Sequence, residues 1–527
     1  MFGRRKRRMA LDNGMLSTLK RGADPNAPAL AAQEAFPTAE MIAADHNLAF
    51  DMSNAEGKMF LGLVGGEMKI KDGTLAAHGG HLVGIHDDRH FMIVAGSRAG
   101  KGRSILLPLL ATWPGSVIVI DPKMDLATET ASLRAKHQRV LIHDAFGAAG
   151  PSCDPYRASG NPLSYRLGDD DDSLLDLAML IADGLVVKSR SNEPHWDESA
   201  MMFIEGVILH VMTSPIYDGR RTLPTVHKLL IEAVEDGGNE KGELSTLEKE
   251  MCDNEAVGGA VQAAAIAFYD RHERERASVL STLRRHLHFL TFPRIRNSLV
   301  DGAVDVRTFH ETPTSLYIGL PATKMRTCAG LLRLFINLAL AAFEANSARH
   351  DFQHQSGRYP CLLIMDEFFS LGRMERIEAA AGQVAGFGVK LCPVLQDLSQ
   401  LKAMYPDSWE TFAANCGAIS FFGNTDLTTL EFLEKRLGQT QVRSASQSEV
   451  SYDGAVKEGA TGSSYSINSH PLMSVPELAR TFNRDDPYCR QLVLSAKHGP
   501  LIIQRAYYDQ HAQFRKLFPC LPLAQTR

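Results

Sequence analysis

Residues 93–104 read IVAGSRAGKGRS. Set against the phosphate-loop pattern G-x-x-x-x-G-K-[ST], Gly100 and Lys101 fit, Ala95 stands at the first glycine, and Gly102 replaces the hydroxyl residue. An apolar run, a glycine turn and a helical stretch in that order aim backbone N–H groups and the positive end of a helix at one place, which suits a polyphosphate. On this reading Gly96, Ser97, Arg98, Ala99, Gly100, Lys101, Gly102 and Arg103 wrap the phosphates. Lys101 would reach the β- and γ-phosphates, and Ser97 or Ser104 is left to stand in for the missing hydroxyl.

Two more stretches supply what triphosphate hydrolysis needs. CLLIMDEFF (361–369) closes an apolar run on Asp366 and Glu367. Asp366 is expected to hold Mg2+, and Glu367 to orient and deprotonate the attacking water. LCPVLQD (391–397) closes another run on Gln396, a neutral amide able to hydrogen-bond the γ-phosphate and report its loss. IVIDPK (118–123) places Asp121 and Lys123 at a further strand end, where they either assist the metal or a neighbouring subunit or simply form a turn. The cofactors implied are ATP and Mg2+.

The elements around these groups alternate in type. HFMIVAG (90–96), GSVIVIDPK (115–123) and RVLIHDAF (139–146) have strand texture and are separated by helical stretches, which predicts a parallel sheet with both faces covered. From 167 to 290 the strand signal disappears; SLLDLAMLIADGLV, WDESAMMFIEGVILHVM and ERERASVLSTLRRHLHFL have helical periodicity. The acidic GDDDDS ahead of the first predicts a helix cap. The last, rich in Glu and Arg, reads as a solvated helix laced with i,i+4 pairs or as a contact for a charged substrate. Strand texture returns in TSLYIGL (314–320), CLLIMDEFF, LCPVLQD, AISFFG (418–423) and GPLIIQRAYY (499–508). The expected organisation is an N-terminal segment (1–88) with little regular pattern beyond MFLGLVGGEMKI, a first α/β part (89–166), an all-α insertion (167–290) and a second α/β part (291–527). The Ser- and Gly-rich 443–470 reads as a mobile loop or an extended hairpin.

Bulk properties exclude several classes. At 527 residues, with 44% hydrophobic and 22% charged residues, the chain can bury large cores without staples. Its eight cysteines are scattered with no C-x-x-C pair, which argues against a zinc or disulfide framework and suits a reducing cytoplasm. A net charge of −5 means that nucleic acid would have to meet a local basic surface. CAGLLRLFINLALAAF (328–343) is too short to span a bilayer and carries Arg333 and Asn337 one turn apart, so a buried helix is expected. The basic start, MFGRRKRRMALDNG, has no apolar stretch behind it and is not a secretory signal.

Taken in order, DDRHFMIVAGSRAGKG, WPGSVIVIDPK, NPLSYRL, HWDESA, SVLSTLRRHL, TSLYIGLPATKMRTCAGLLRLFI, LLIMDEFFSLGRMERIE, VLQDLSQLKAMYPDSWETF and HPLMSVPEL resemble the type IV secretion coupling proteins, the TraG/TraD-like ATPases of conjugative DNA transfer. One branch of that family has G-K-G in place of G-K-[ST], which accounts for Gly102. The resemblance implies a RecA-like P-loop domain with an inserted all-α domain. Lys101 becomes the Walker A lysine, Asp366 and Glu367 the Walker B pair, and Gln396 a sensor-like glutamine. It further implies a homo-hexamer that moves DNA, largely without regard to sequence, with relaxase or effector proteins into a secretion channel. Many relatives carry transmembrane helices ahead of this domain and this sequence shows none, so any membrane association is expected to be peripheral or through partners. DPKMD also lacks the glycine–acid pair common after the lysine, leaving Asp125 as the available acid. Arg373, Arg376 and Arg436 are positional candidates for an arginine finger. The competing readings are an FtsK/HerA-like soluble DNA pump and a non-hydrolysing recruitment adaptor.

Overall fold

The computed structural model describes residues 36–518 apart from 72, 167, 169, 188–193, 236–245, 310, 348–358 and 449–461. Its strands are β1 (Met59–Val64), β2 (Glu67–Lys71), β3 (Thr74–His78), β4 (His81–Ile85), β5 (His90–Ala95), β6 (Val117–Ile120), β7 (Arg139–Asp144) and β8 (Thr314–Gly319). They continue with β9 (Cys361–Met365), β10 (Val389–Leu395), β11 (Cys416–Phe422), β12 (Gln439–Ser448), β13 (Gly462–Pro471), β14 (Arg490–Ser495) and β15 (Gly499–Gln504).

Eleven of these form one sheet in the order β4-β1-β15-β14-β11-β5-β10-β9-β6-β8-β7. From β11 to β7 every neighbouring pair is parallel. Each of β5, β6, β8, β9, β10 and β11 is buried along its whole length, which is why they read as continuous apolar runs rather than alternating ones. The other four strands are antiparallel, β14 to β11, β15 to β14, β1 to β15 and β4 to β1. The N-terminal segment, expected to show little regular pattern beyond MFLGLVGGEMKI, therefore supplies two strands of the main sheet and the β2–β3 hairpin between residues 59 and 85.

Alternate side chains of each strand enter two cores. Phe91, Ile93, Val117, Val119, Leu362 and Ile364 face a helix that begins with a π-helical turn, α1 (Gly102–Thr112), and α2 (Asp125–Arg134). Met92, Val94, Ile118, Ile120, Leu363 and Met365 face the other core, which runs without a break into the helices between β7 and β8. Those helices include α3 (Asp171–Leu185), α4 (Pro194–Thr213), α5 (Leu223–Glu235), α6 (Thr246–Cys252), α7 (Ala260–Tyr269), α8 (Glu273–Leu287) and α9 (Pro293–Ser298). No strand interrupts them among the described residues. Asp170 caps α3, accepting from Ser173 N at 2.7 Å, with Asp171 and Asp172 in the first turn. The Glu and Arg side chains of α8 form no ion pairs with one another among the described residues; Arg285 and His286 instead bond Asp197 of α4, at 2.9 and 2.8 Å.

α10 (Met325–Ser347) is longer than the apolar run seen in the sequence and long enough to cross a bilayer, but 83% of its most apolar window is buried inside the fold. It is a core helix here. The segment 443–470 takes the hairpin form: β12 and β13 pair antiparallel from Gln439↔Pro471 to Ser448↔Gly462, and 449–461 lie outside the described residues.

Candidate functional site

The strand order β5-β10-β9-β6 puts the carboxyl ends of four parallel strands side by side. Each end carries one of the groups picked out by the sequence: the loop to Lys101 after β5, Gln396 after β10, Asp366 and Glu367 after β9, and Asp121 after β6. This is the crevice in which open α/β sheets bind ligands.

The loop after β5 is shaped by lack of room. A Cβ on Gly96 would lie 1.9 Å from the carbonyl oxygen of Gly423, at the end of neighbouring β11, so only glycine lets the two loops touch. Gly96 N donates to Phe422 O at 3.0 Å, and Ala99 N to Gly96 O at 3.1 Å. Arg98 and Gly100 have φ of +56° and +90°, and Gly102 has nothing within 4 Å of where a Cβ would be. The result is an open turn feeding α1, whose π-helical start is a form common at functional sites.

Lys101 Nζ lies 3.2 Å from Asp366 Oδ1 and 3.7 Å from Glu367 Oε1. Gln396 Nε2 is 3.5 Å from Glu367 Oε2, and Asn424 Nδ2 donates to Gln396 O at 3.0 Å. The four principal groups are thus brought together across three strand ends. Glu367 has φ +62°, a left-handed backbone that a non-glycine residue adopts at a cost of about 1–3 kcal/mol and that recurs at functional sites.

Burial pushes the Asp366 carboxyl above the usual range, with the Lys101 charge opposing and the Glu367 charge adding. Asp121, fully buried and accepting from Ala127 N at 2.9 Å, is pushed up to about 7 by burial, with Asp366 and Asp125 adding. Asp121, buried, and Asp366, largely covered, stand at adjoining tips and make a place that favours a cation. Asp366 Oδ1 is buried and, although Lys101 is close, accepts no aligned hydrogen bond. Such an open carboxylate oxygen fits Mg2+, which is held through one or two carboxylates, substrate phosphates and water. No group of three His, Cys, Asp or Glu side chains that could hold a metal occurs among the described residues.

Other expected residues sit elsewhere. The Arg103 guanidinium is taken up by Asp509, at 2.6 and 2.5 Å, and lies 4.6 Å from the centre of the Tyr507 ring, so its side chain braces the C-terminal segment. Ser104 is buried and donates to Gly100 O at 3.0 Å, which commits its hydroxyl to the loop; Ser97 is exposed. Arg373 pairs with Glu378 at 3.0 Å, Arg376 with Glu344 at 3.8 Å, and Arg436 lies over Phe432.

Sequence reasoning missed the groups that hold the loop after β5 from behind. Arg505, 1% exposed, donates to Ala99 O at 2.8 Å and to Arg484 O at 3.0 Å. Tyr507 approaches the loop at Gly100, where a Cβ would be 3.5 Å from its ring. Asn424, which ties β11 to Gln396, was also passed over. The signal was the polar cluster QRAYYD just beyond an apolar strand and GN closing another, but nothing local says which loop they meet.

The chain matches the family model described as "Type IV secretory system Conjugative DNA transfer" over residues 41–520. It is 29% identical over 393 residues to a conjugal transfer protein TraG of Escherichia coli, covering 72% of this chain and 59% of that protein. It is 24% identical over 443 residues to the protein VirD4 of Agrobacterium fabrum, covering 82% of this chain and 60% of that protein. The chain thus spans less than two thirds of the length of these relatives. Its fold is similar to that of the bacterial conjugative coupling protein TrwB lacking its first 70 residues, at a TM-score of 0.56 and 14% identity over 80% of this chain and 85% of that one. The same protein has been solved with a non-hydrolysable ATP analogue and with ADP and Mg2+. With that match running from residue 41 to 520, the chain belongs to the type IV secretory system conjugative DNA transfer family.

Proposed function

We propose that this protein is an ATP-hydrolysing coupling motor that brings DNA–protein complexes or protein effectors to a type IV secretion channel and drives their transfer. The observation that carries this is the 3.2 Å approach of Lys101 to Asp366, with Glu367 and Gln396 beside them, at adjoining strand ends behind a glycine loop. Membership in a conjugative DNA transfer family supplies the cargo class. The nucleotide complexes of TrwB support the same ligands for this fold.

In this reading residues 96–102 cradle the phosphates through backbone N–H groups. Lys101, now paired with the two acids, turns its charge to the β- and γ-phosphates when ATP enters. Asp366 would hold Mg2+, which when bound offsets charge on the phosphates. Glu367 orients a water and takes its proton at a carboxylate oxygen. Gln396, within reach of Glu367, senses whether the γ-phosphate is present. A ring of identical subunits, six by resemblance to translocases, would grip a phosphate backbone through its charge alone, as a motor indifferent to sequence must. Work is placed on the cytoplasmic side, with membrane contact through partners.

The test is phosphate release from ATP and Mg2+ by the purified chain, with and without DNA, alongside plasmid transfer in cells lacking it. Turnover stimulated by DNA and loss of transfer are expected. Full turnover in both Lys101→Ala and Glu367→Gln would remove the site assignment.

A further inference from the structure

Two polar residues stand out in the apolar stretch 328–343 of α10, Arg333 and Asn337, and the proposed chemistry does not use them. Both are almost completely buried, 4% and 0% exposed. A charge in such a place is expensive unless it holds something. Arg333 Nη1 donates to Arg373 O at 2.7 Å and to Leu371 O at 3.3 Å. No carboxylate lies within ion-pair distance of its guanidinium among the described residues. Its charge is therefore spent on two backbone carbonyls of the loop that leaves β9 through Asp366 and Glu367.

That loop is short and tightly bound. Glu367 O accepts from Ser370 N at 2.9 Å and Ser370 Oγ at 2.6 Å, Phe368 and Leu371 are buried, and Met374 N donates to the Tyr405 hydroxyl at 3.1 Å. Removing the Arg333 contacts frees two carbonyls at its far end while leaving the start on the sheet. One helical turn further on, Asn337 Nδ2 donates to Asp183 Oδ2 of α3 at 2.9 Å. Next to Asp183, a Cβ on Gly184 would lie 2.8 Å from the Cα of Leu334, so α3 and α10 touch backbone to backbone. Any shift of α3 within the helical block is carried into α10, because close-packed helices have no slack to absorb it.

We infer that Arg333 is a positioning residue for the hydrolytic loop, and that Asn337 and Asp183 fasten the same helix to the helical block, so that the block sets the place of Glu367. This rests on the function proposed above. Arg333 touches neither nucleotide nor water; it acts through the carbonyls of Leu371 and Arg373.

The test is Arg333→Met in the full chain, with Arg333→Lys as the conservative partner; the apolar side chain of similar length fills the space and takes away the donor to the two carbonyls. At saturating ATP and Mg2+ the Met variant is expected to lose at least 30-fold in kcat, with the Kd for a non-hydrolysable ATP analogue within threefold of wild type. Lys should regain part of the rate. Hydrogen exchange of amides 368–374 should quicken at least tenfold in the Met variant and by a smaller factor in Asn337→Leu, with exchange in the central strands unchanged. Wild-type kcat together with wild-type exchange of 368–374 overturns the inference. So does exchange that rises throughout the molecule, which would make Arg333 an ordinary core residue. If the wild-type chain itself releases no phosphate, the function proposed above fails, and the exchange measurement still decides whether Arg333 holds the loop.

Discussion

The two loops that make the site are built alike and braced differently. Each has one non-glycine residue in the left-handed region, Arg98 in one and Glu367 in the other, and one glycine there, Gly100 and Gly372. Each is gripped at its carbonyls by a buried arginine, Arg505 at Ala99 and Arg333 at Leu371 and Arg373. Arg505 follows β15, in the antiparallel part of the main sheet. Arg333 sits on a helix packed against the helical block. A loop braced by a sheet is held in one place, whereas a loop braced by a helix shares in whatever moves that helix. We read the first as the binding side of the site and the second as the side that governs turnover.

The largest effect that could break this division comes from its two central residues. Lys101→Ala is expected to lose nucleotide affinity and to cut phosphate release by about 10²–10³-fold or more, the cost of removing a preorganised charge at the phosphates. Glu367→Gln should cut release by a similar factor and keep its affinity for ATP, because the amide cannot take the proton from water. Equal loss of affinity in both would erase the distinction. Gly96→Ala comes next. Its Cβ would meet Gly423 O at 1.9 Å, so the β5 loop must part from the β11 loop, at about 1–3 kcal/mol. Stabilisation by added nucleotide, read as a Tm shift, should shrink in this variant. A smaller effect is expected for Arg505→Met, about a tenfold rise in the Kd for ADP with kcat little changed, in line with a lost charged hydrogen bond. A fall in kcat with unchanged Kd would place Arg505 with Arg333 and dissolve the contrast.

The same asymmetry explains what the sequence reveals. The glycine loop after β5, the Asp366–Glu367 pair and Gln396 are each set by a few consecutive residues, an apolar strand followed by a glycine turn or a polar group, so they can be read one by one. Helix α3 could be read from its period and its acidic start. Of the four antiparallel strands β15 was legible, in GPLIIQRAYY, but its neighbours were not. β1 pairs with β15 across the whole chain, Leu63 opposite Gln504, and a run such as MFLGLV shows burial without naming its partner. Arg505 looks like an ordinary basic residue, and Arg333 shows only as a charge in an apolar run, until folding brings Ala99 to one and Leu371 to the other. What is local in sequence was legible, and what depends on a partner hundreds of residues away was not.

The mildest prediction concerns acid stability, and it touches both sides at once. His90 opens β5 beneath the phosphate loop, with Leu391 N donating to its Nδ1 at 3.2 Å; His143 lies in β7 with its ring 4.7 Å from that of Phe335 on α10. Burial pushes both imidazoles down to about 4, with the Lys390 charge adding at His90. In the unfolded chain each would titrate near 6.5. Between those values the unfolded chain binds the protons that the folded one refuses, so the contribution of these two histidines is full above about pH 6.5 and is lost as the pH drops toward 4. Asp121 and Glu205, both pushed up to about 7, add stability as the pH falls over the same interval and oppose that loss. The slope is at most about 1.4 kcal/mol per pH unit for each histidine. Urea midpoints at pH 7, 6 and 5, compared between the wild type and a histidine variant, isolate the histidine contribution. His143 Nδ1 is buried without a partner and Nε2 meets Ser298 O at 3.2 Å, so His143→Leu gives up one hydrogen bond and should lose less of its midpoint between pH 7 and 5 than the wild type does, or gain more. The same pH dependence in His143→Leu as in the wild type would mean that this imidazole is charged inside the fold, and that the packing of β7 against α10 is looser than described.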